Sequence, residues 1–399
     1  MKIMRTIALL PLCLLLLLPA SVMPWPGTAA AAPAQPAALQ AYLRQGIDKS
    51  FNLEPAAAMA LFQKAVDLDR ENPVGYAFMA LGHLFEYEMS FDLQKRIRDQ
   101  ETMLTDVAET LSRGQVRIEK NPRDGQACFA MAIAKIVKIR WAIAQKRYLT
   151  VAQEAASVWD YLTRARAEDP QNFDVYFPIG LLHYHLDHLP AAARLFTSLL
   201  ITPGDRQKGL QELALAGQKG TLLKELAQAE LSSAYTYYEG LPSLALQMTL
   251  ELKEKFPNNY NFSLSLANIL AELGRFDEAF AIAREIEKGI ASGRPPYVPQ
   301  LQPRYDHLMG RILFNQGDYA RATEFFEKAL KDTSIYNARI RTSALVRLGM
   351  IRDLRGERKQ AEEYYQRALV VDGGEGFAQV EAKNYLKTPY LPRTRDLGP

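Results

Sequence analysis

The sequence predicts an all-α fold, a right-handed solenoid of antiparallel helix pairs, and three observations carry that prediction. Small residues recur at fixed offsets, apolar residues recur at helical spacing, and the alternating Val, Ile or Thr runs that strands need are missing. The offsets are the strongest signal. Gly240, Gly274, Gly317 and Gly356 are each followed five residues later by an alanine, Ala245, Ala279, Ala322 and Ala361. Seven residues before each glycine stands another small residue, Ser233, Ala267, Gly310 or Gly349. The glycines are separated by 34, 43 and 39 residues. Two antiparallel helices approach closely only where the facing side chains are small, and glycine permits the tight turn between them.

Large residues complete the pattern. In GDYARATEFFEKAL, Tyr319, Ala322, Phe326, Ala329 and Leu330 fall on one stripe, while Arg321, Glu324, Glu327, Lys328 and Lys331 take the opposite face. GERKQAEEYYQRALVV repeats the plan with Ala361, Tyr365, Ala368 and Leu369. One helix pair of this size cannot close a core alone, so the pairs must stack.

These residues resemble the tetratricopeptide repeat family. The Gly310, Gly317, Ala322, Phe326, Ala329 series, its counterpart Gly349, Gly356, Ala361, Tyr365, Ala368, and the Gly240, Ala245, Pro257 unit carry the likeness over roughly residues 226 to 371. Upstream, Gly46, Ala58, Phe62, Ala65 and Gly82 keep a fainter version. There the units are longer: Asn72-Pro73, Asn121-Pro122 and Asp169-Pro170 recur at 49 and 48 residues, each ending one helix and starting another.

The expected organisation follows. Residues 1–32 form a signal peptide: Lys2 and Arg5 precede the apolar stretch Ile7 to Leu18, and small residues run from Thr28 to Ala32. Residues 33–225 hold divergent repeats with longer helices, and 226–290 hold regular repeats. Residues 291–303, with Pro295, Pro296, Pro299 and Pro303, make an elbow that no helix crosses. Residues 304–387 return to regular repeats, and 388–399 form a proline-punctuated flexible tail.

Composition narrows the function. Removal of the signal takes two of the 48 basic residues and leaves 46 against 45 acidic, a net charge of +1, too balanced to favour nucleic acid or an anionic membrane. The mature chain has no second apolar stretch able to span a bilayer and keeps one cysteine, Cys128, so packing rather than disulfides must hold it together. Nucleophile-elbow, zinc-protease, phosphate-loop, dinucleotide and CxxC motifs are missing. No cofactor is expected and the chain reads as a non-enzyme.

Family resemblance implies that the first helix of each pair lines a concave groove. The corresponding positions are Glu230, Tyr237, Asn261, Asn268, Arg304, His307, Arg311, Phe314 and Arg347. Asn268 with Arg304, Arg311 and Arg347 would supply amide and guanidinium donors suited to a peptide backbone or carboxylate. The lysine that a carboxylate clamp needs early in this helix is Leu264 in one unit and His307 in the next. The expectation is an exported, periplasmic or secreted scaffold of the bacterial envelope that takes a protein or peptide partner. One alternative is an envelope metal enzyme using His183, His185 and His188, although residues two apart on a helix point to different sides. A structural assembly subunit is the other, and the oligomeric state has no signal in the sequence.

Overall fold

The computed structural model describes residues 34–187, 202–374 and 376–392. Residues 1–32, expected to be a signal peptide, His188 and the last seven residues of the tail lie outside the described residues. Among those described, the fold is all-α, without strands. The N-terminal part comprises α1 (Ala34–Phe51), α2 (Pro55–Leu68), α3 (Pro73–Met89), α4 (Leu93–Lys120), α5 (Gly125–Ala144), α6 (Tyr148–Glu168), α7 (Tyr176–Asp187) and α8 (Arg206–Lys219). The C-terminal part comprises α9 (Lys224–Ser233), α10 (Pro242–Lys255), α11 (Tyr260–Glu272), α12 (Phe276–Ser292), α13 (Gln302–Gln316), α14 (Tyr319–Leu330), α15 (Ala338–Leu354), α16 (Arg358–Leu369) and α17 (Phe377–Lys387). The long upstream units are explained by α4, α5 and α6, of 28, 20 and 21 residues.

Local chemistry sets the helix boundaries. Asn72, Asp92, Asp124, Asp205, Asn259 and Asp318 each accept a backbone N–H of the first turn that follows, offsetting donors that a helix start leaves unpaired. At Gly317 (φ +90°) the left-handed conformation closes α13 and turns the chain into α14. Pro295 and Pro296 fall between α12 and the one-turn helix that Pro299 begins, Pro299–Leu301; α13 then starts at Gln302 with Pro303 in its first turn, where a missing N–H costs nothing.

Within the pairs, one contact recurs. A Cβ at Gly46, Gly310 or Gly349 would stand 2.3, 2.6 or 2.5 Å from the ring of Phe62, Phe326 or Tyr365. In all three cases the ring is sixteen residues downstream, on the second helix. Where no ring is present, a glycine is not needed: the same two positions of the α11/α12 pair hold buried Ala267 and Ala283. In the α9/α10 pair, Thr249 occupies the second position and its hydroxyl meets that of Ser232 at 2.6 Å. The odd-numbered helices form the inner layer, α1, α3 and α5 packing in succession, α7 on α9, and α11, α13, α15 and α17 in succession, while among the described residues no two even-numbered helices pack together to the same extent.

The solenoid also closes on itself. Arg44 of α1 donates to both carboxylate oxygens of Glu225 in α9, at 2.6 and 2.5 Å, and to the Thr221 carbonyl at 2.7 Å. Lys255 bridges Glu225 and Asp48 at 2.8 and 3.2 Å. Burial alone would raise the Glu225 pKa, but hydrogen bonds and charge from Arg44 and Lys255 prevail and lower it. Beside this cluster Phe51 packs against Phe256 and Phe262, with ring centres 5.2 and 6.2 Å apart. Asn259 donates to the Phe51 carbonyl at 2.7 Å, a link across 208 residues. Further along, Phe91 meets Tyr336 at 6.0 Å.

One buried pair carries a pH signature. His83 of α3 and Asp106 of α4 face each other at 3.6 Å, and neither His83 Nδ1 nor Asp106 Oδ2 has a hydrogen-bond partner. Burial, then the Glu109 charge, pushes Asp106 up to about 7; burial lowers His83. The Asp106 contribution to stability is therefore present below its unfolded pKa and lost as pH rises through about 7. That of His83 is present above its ordinary value and lost as pH falls.

Two outcomes follow for urea denaturation followed by circular dichroism. Asp106→Asn should stabilise the protein more at pH 8 than at pH 5, by on the order of 2 kcal/mol. Gly310→Ala should destabilise it by about 1–3 kcal/mol, because overlap with the Phe326 ring outweighs the helix-propensity gain of about 1 kcal/mol. In a Phe326→Leu background the same substitution should cost less; equal costs in both backgrounds would show that the ring is not the obstacle.

Candidate partner-binding groove

The inner helices, with Thr249 and Leu252 of α10, line an open-sided cavity of about 340 Å³ on the axis of the solenoid. Five of them contribute: Phe51 from α1, Phe85 and Glu88 from α3, Arg140 from α5, Leu226 and Glu230 from α9, and Asn261 and Phe262 from α11. Between α9 and α10 the backbone widens into a π-helical segment, Ala234–Glu239, before Gly240 turns it with φ +67°. That widening brings Thr236 and Tyr237 to the cavity wall. Most of the lining is apolar. Beside the hydroxyls and amides of Ser50, Thr236, Thr249, Asn261 and Ser265 sits a charged cluster in which Arg140 forks onto Glu88, with Nη2 2.9 Å from both carboxylate oxygens, and lies 3.9 Å from Glu230.

The wall continues toward the C-terminus as a ladder of arginines on aromatic rings. Arg304 lies 5.1 Å from the centre of Phe91, Arg311 5.5 Å from Tyr237, and Arg347 5.7 Å from Phe314. Arg304 also donates to Asn337 Oδ1 at 3.2 Å and to Asn261 Oδ1 at 3.5 Å, and Arg311 to Glu272 Oε1 at 2.7 Å. Burial alone would raise the Glu272 pKa, but the charges of Arg311 and Arg347 and hydrogen bonds from Asn315 and Arg311 lower it. His307 sits between these groups, 2.8 Å from Ser343 Oγ. Burial, then the Arg311 and Arg347 charges, holds it well below the ordinary histidine pKa, so it is a neutral hydrogen-bonding group at pH 7.

Of the nine sequence-derived positions, these contacts join Tyr237 to Arg311, Asn261 to Arg304 and Phe314 to Arg347, but not as a row of free donors. Tyr237, Asn261, Arg304 and Arg347 are half-buried, while Asn268, His307, Arg311 and Phe314 are buried. Arg304, Arg311 and Arg347 are held in place by rings and acceptors of their own chain. Asn268 differs: it is 3 % exposed, and neither amide atom has a hydrogen-bond partner. An orphaned buried amide costs about 1–3 kcal/mol.

The sequence did not point to Phe51, Phe85, Glu88 or Arg140. Their neighbours across the cavity lie in α9 and α11, more than eighty residues away, and no local period marks such a meeting. The histidine cluster divides as helical geometry requires. His183 is buried, with Nδ1 2.5 Å from Glu212 of α8 and its ring edge-on to Trp159, whereas His185 is exposed beside Tyr184. Among the described residues, no group of three His, Cys, Asp or Glu side chains is placed to hold a metal ion.

Tetratricopeptide repeat models match residues 237–295, 307–331 and 344–378. The chain carries tetratricopeptide repeats. The first match runs from the π-helical segment into the elbow, the second covers most of the α13/α14 pair, and the third covers the α15/α16 pair and the start of α17. Similar solved structures include a tetratricopeptide repeat protein from Parabacteroides merdae, 14% identical over 74% of this chain and 93% of that one, with a TM-score of 0.33. Another is yeast Tom70, 13% identical over 88% of this chain and 82% of that one, with a TM-score of 0.39. No curated protein matches the chain. Tetratricopeptide repeats support a role as a protein-interaction scaffold. No described helix is long and apolar enough to cross a membrane.

Asn268→Leu tests the cost of the orphaned amide. The substitution should raise stability by about 1–3 kcal/mol in urea titration, since it removes a buried polar group without changing its size greatly. A fall in stability would show that the amide has a partner in solution.

Proposed function

We propose that the protein is a non-enzymatic scaffold of the bacterial cell envelope that holds an extended segment of a partner protein in the axial groove. The observation that carries this reading is the cavity on the solenoid axis, continuous with a ladder of arginines already fixed on aromatic rings. Groups ordered before the partner arrives lose little freedom when it docks. The tetratricopeptide repeats support a protein as the ligand class, and Tyr237, Asn261, Asn268, Arg304, His307, Arg311, Phe314 and Arg347 are the proposed contact wall. The charged, apolar and small-residue order of residues 1–32 supports export to the periplasm or beyond.

A photo-crosslinking residue at Ser265, on the cavity wall, should form an adduct with a discrete partner in living cells. The same residue at Glu327, on the exposed face of α14, should not. Adducts from Glu327 alone would move the contact to the outer surface. Recovery of the full-length chain, uncleaved and inaccessible to protease in spheroplasts, would remove the envelope from the proposal.

A further inference from the structure

The axial cavity has a charge imbalance that narrows the choice of ligand. Its wall holds two carboxylates, Glu88 and Glu230, against one guanidinium, Arg140. Arg140 is committed to Glu88, which it grips through Nε and Nη2 at 2.9–3.2 Å. Glu230 is left with an ion-pair distance of 3.9 Å to Arg140 and makes no hydrogen bond among the described residues. Its side chain is 37 % exposed, and it lines both this cavity and a smaller neighbouring one. Burial, reinforced by the Glu88 charge, raises its pKa against the pull of Arg140 and the more distant Arg339, an exposed side chain outside the cavity wall. A carboxylate in that situation gains from a cation that brings its own N–H donors.

The rest of the cavity asks for something else. Phe51, Leu53, Phe85, Met89, Leu226 and Phe262 present an apolar surface, and about 340 Å³ suits one large side chain with its neighbour rather than a folded domain. Resting on the reading of the groove as a site for an extended segment, we infer that the cavity selects a stretch in which an apolar side chain stands next to a basic one. The apolar side chain fills the space between the phenylalanines. The basic head reaches Glu230, completing the cluster that Arg140 leaves one charge short.

Fluorescence anisotropy with end-blocked, fluorescein-labelled Gly/Ser nonapeptides carrying a central Phe-Lys, Phe-Gln or Phe-Glu tests this. Phe-Lys should bind about tenfold or more tightly than Phe-Glu, and Glu230→Gln should weaken Phe-Lys about tenfold while leaving Phe-Gln unchanged. Ser265→Phe, which intrudes on the cavity, should abolish binding of all three. Matching thermal melts of the variants and the parent keep the comparison free of folding defects. Equal affinity for Phe-Glu, indifference to Glu230→Gln, or no binding of any peptide at millimolar concentration would overturn the inference. If Ser265 still forms its adduct in cells, the groove stands and only the inferred preference falls; if it does not, both fall. Tighter binding of free hexylammonium than of Phe-Lys would replace the peptide segment by a small amphiphilic cation and overturn the inference as well.

Discussion

Two helices can lie only as close as the bulk between them allows, and in this protein that bulk is set by a ring packed on a bare backbone. Phe62, Phe326 and Tyr365 each press into the space that a Cβ at Gly46, Gly310 and Gly349 would occupy. On that side the ring meets bare helix backbone, so the pair becomes a thin, stiff slab. Slabs of equal thickness stack with a constant small rotation, and curvature is the sum of those rotations. Where the second position is Ala283 or Thr249 the slab is held by other means, a methyl contact or a hydroxyl pair, yet the spacing is kept. The groove is therefore a consequence of packing inside each pair, although of these packing residues only Ser232 and Thr249 line the cavity.

A stack of slabs has open ends, and its curvature would be soft if each unit met only its neighbours. The contacts between α1 and the α9 to α11 region remove that freedom. Arg44, Glu225, Lys255 and Asp48 form a network whose central carboxylate is buried and doubly engaged, and Phe51 is inserted between Phe256 and Phe262 beside it. A buried charge of this kind is destabilising unless its partners are in place, so the network favours the closed arrangement specifically and penalises partial opening. The axial cavity lies against this closure and owes its shape to it: Ser50, Phe51 and Leu53 line it from one side, Asn259, Asn261 and Phe262 from the other.

What could be read from the sequence follows the range of each interaction. The glycine and ring positions were legible because both members of a pair lie sixteen residues apart and repeat. The inner-wall positions from Tyr237 to Arg347 came from the family resemblance, carried onto that register. Their condition did not: Arg311 depends on Glu272 one unit earlier, and Arg304 on Asn337 one unit later, so each arginine reads locally as a free donor and is engaged only once the stack forms. Phe51, Phe85 and Arg140 were beyond reach because the superhelix, not the repeat, brings them to α9 and α11. The pair His183 and His185 shows the opposite case, where two residues separated by a single position are parted by helical geometry, one to Glu212 and one to the surface.

The engagement of the arginines changes what the groove can discriminate. A free guanidinium attracts any carboxylate, and three in a row would make an indiscriminate acid-binding strip. Stacked on Phe91, Tyr237 and Phe314, with Arg311 paired to Glu272 and Arg304 donating to the Asn261 and Asn337 amide oxygens, they are already engaged, and an incoming acid would have to compete with partners that are part of the fold. Attraction for acids is thereby muted along the ladder. Selectivity shifts to places where compensation is incomplete, namely the orphaned amide of Asn268 and the carboxylate of Glu230. Rejecting a wrong ligand then needs no repulsive wall: it suffices that the wrong ligand leaves those groups as poorly satisfied as it found them.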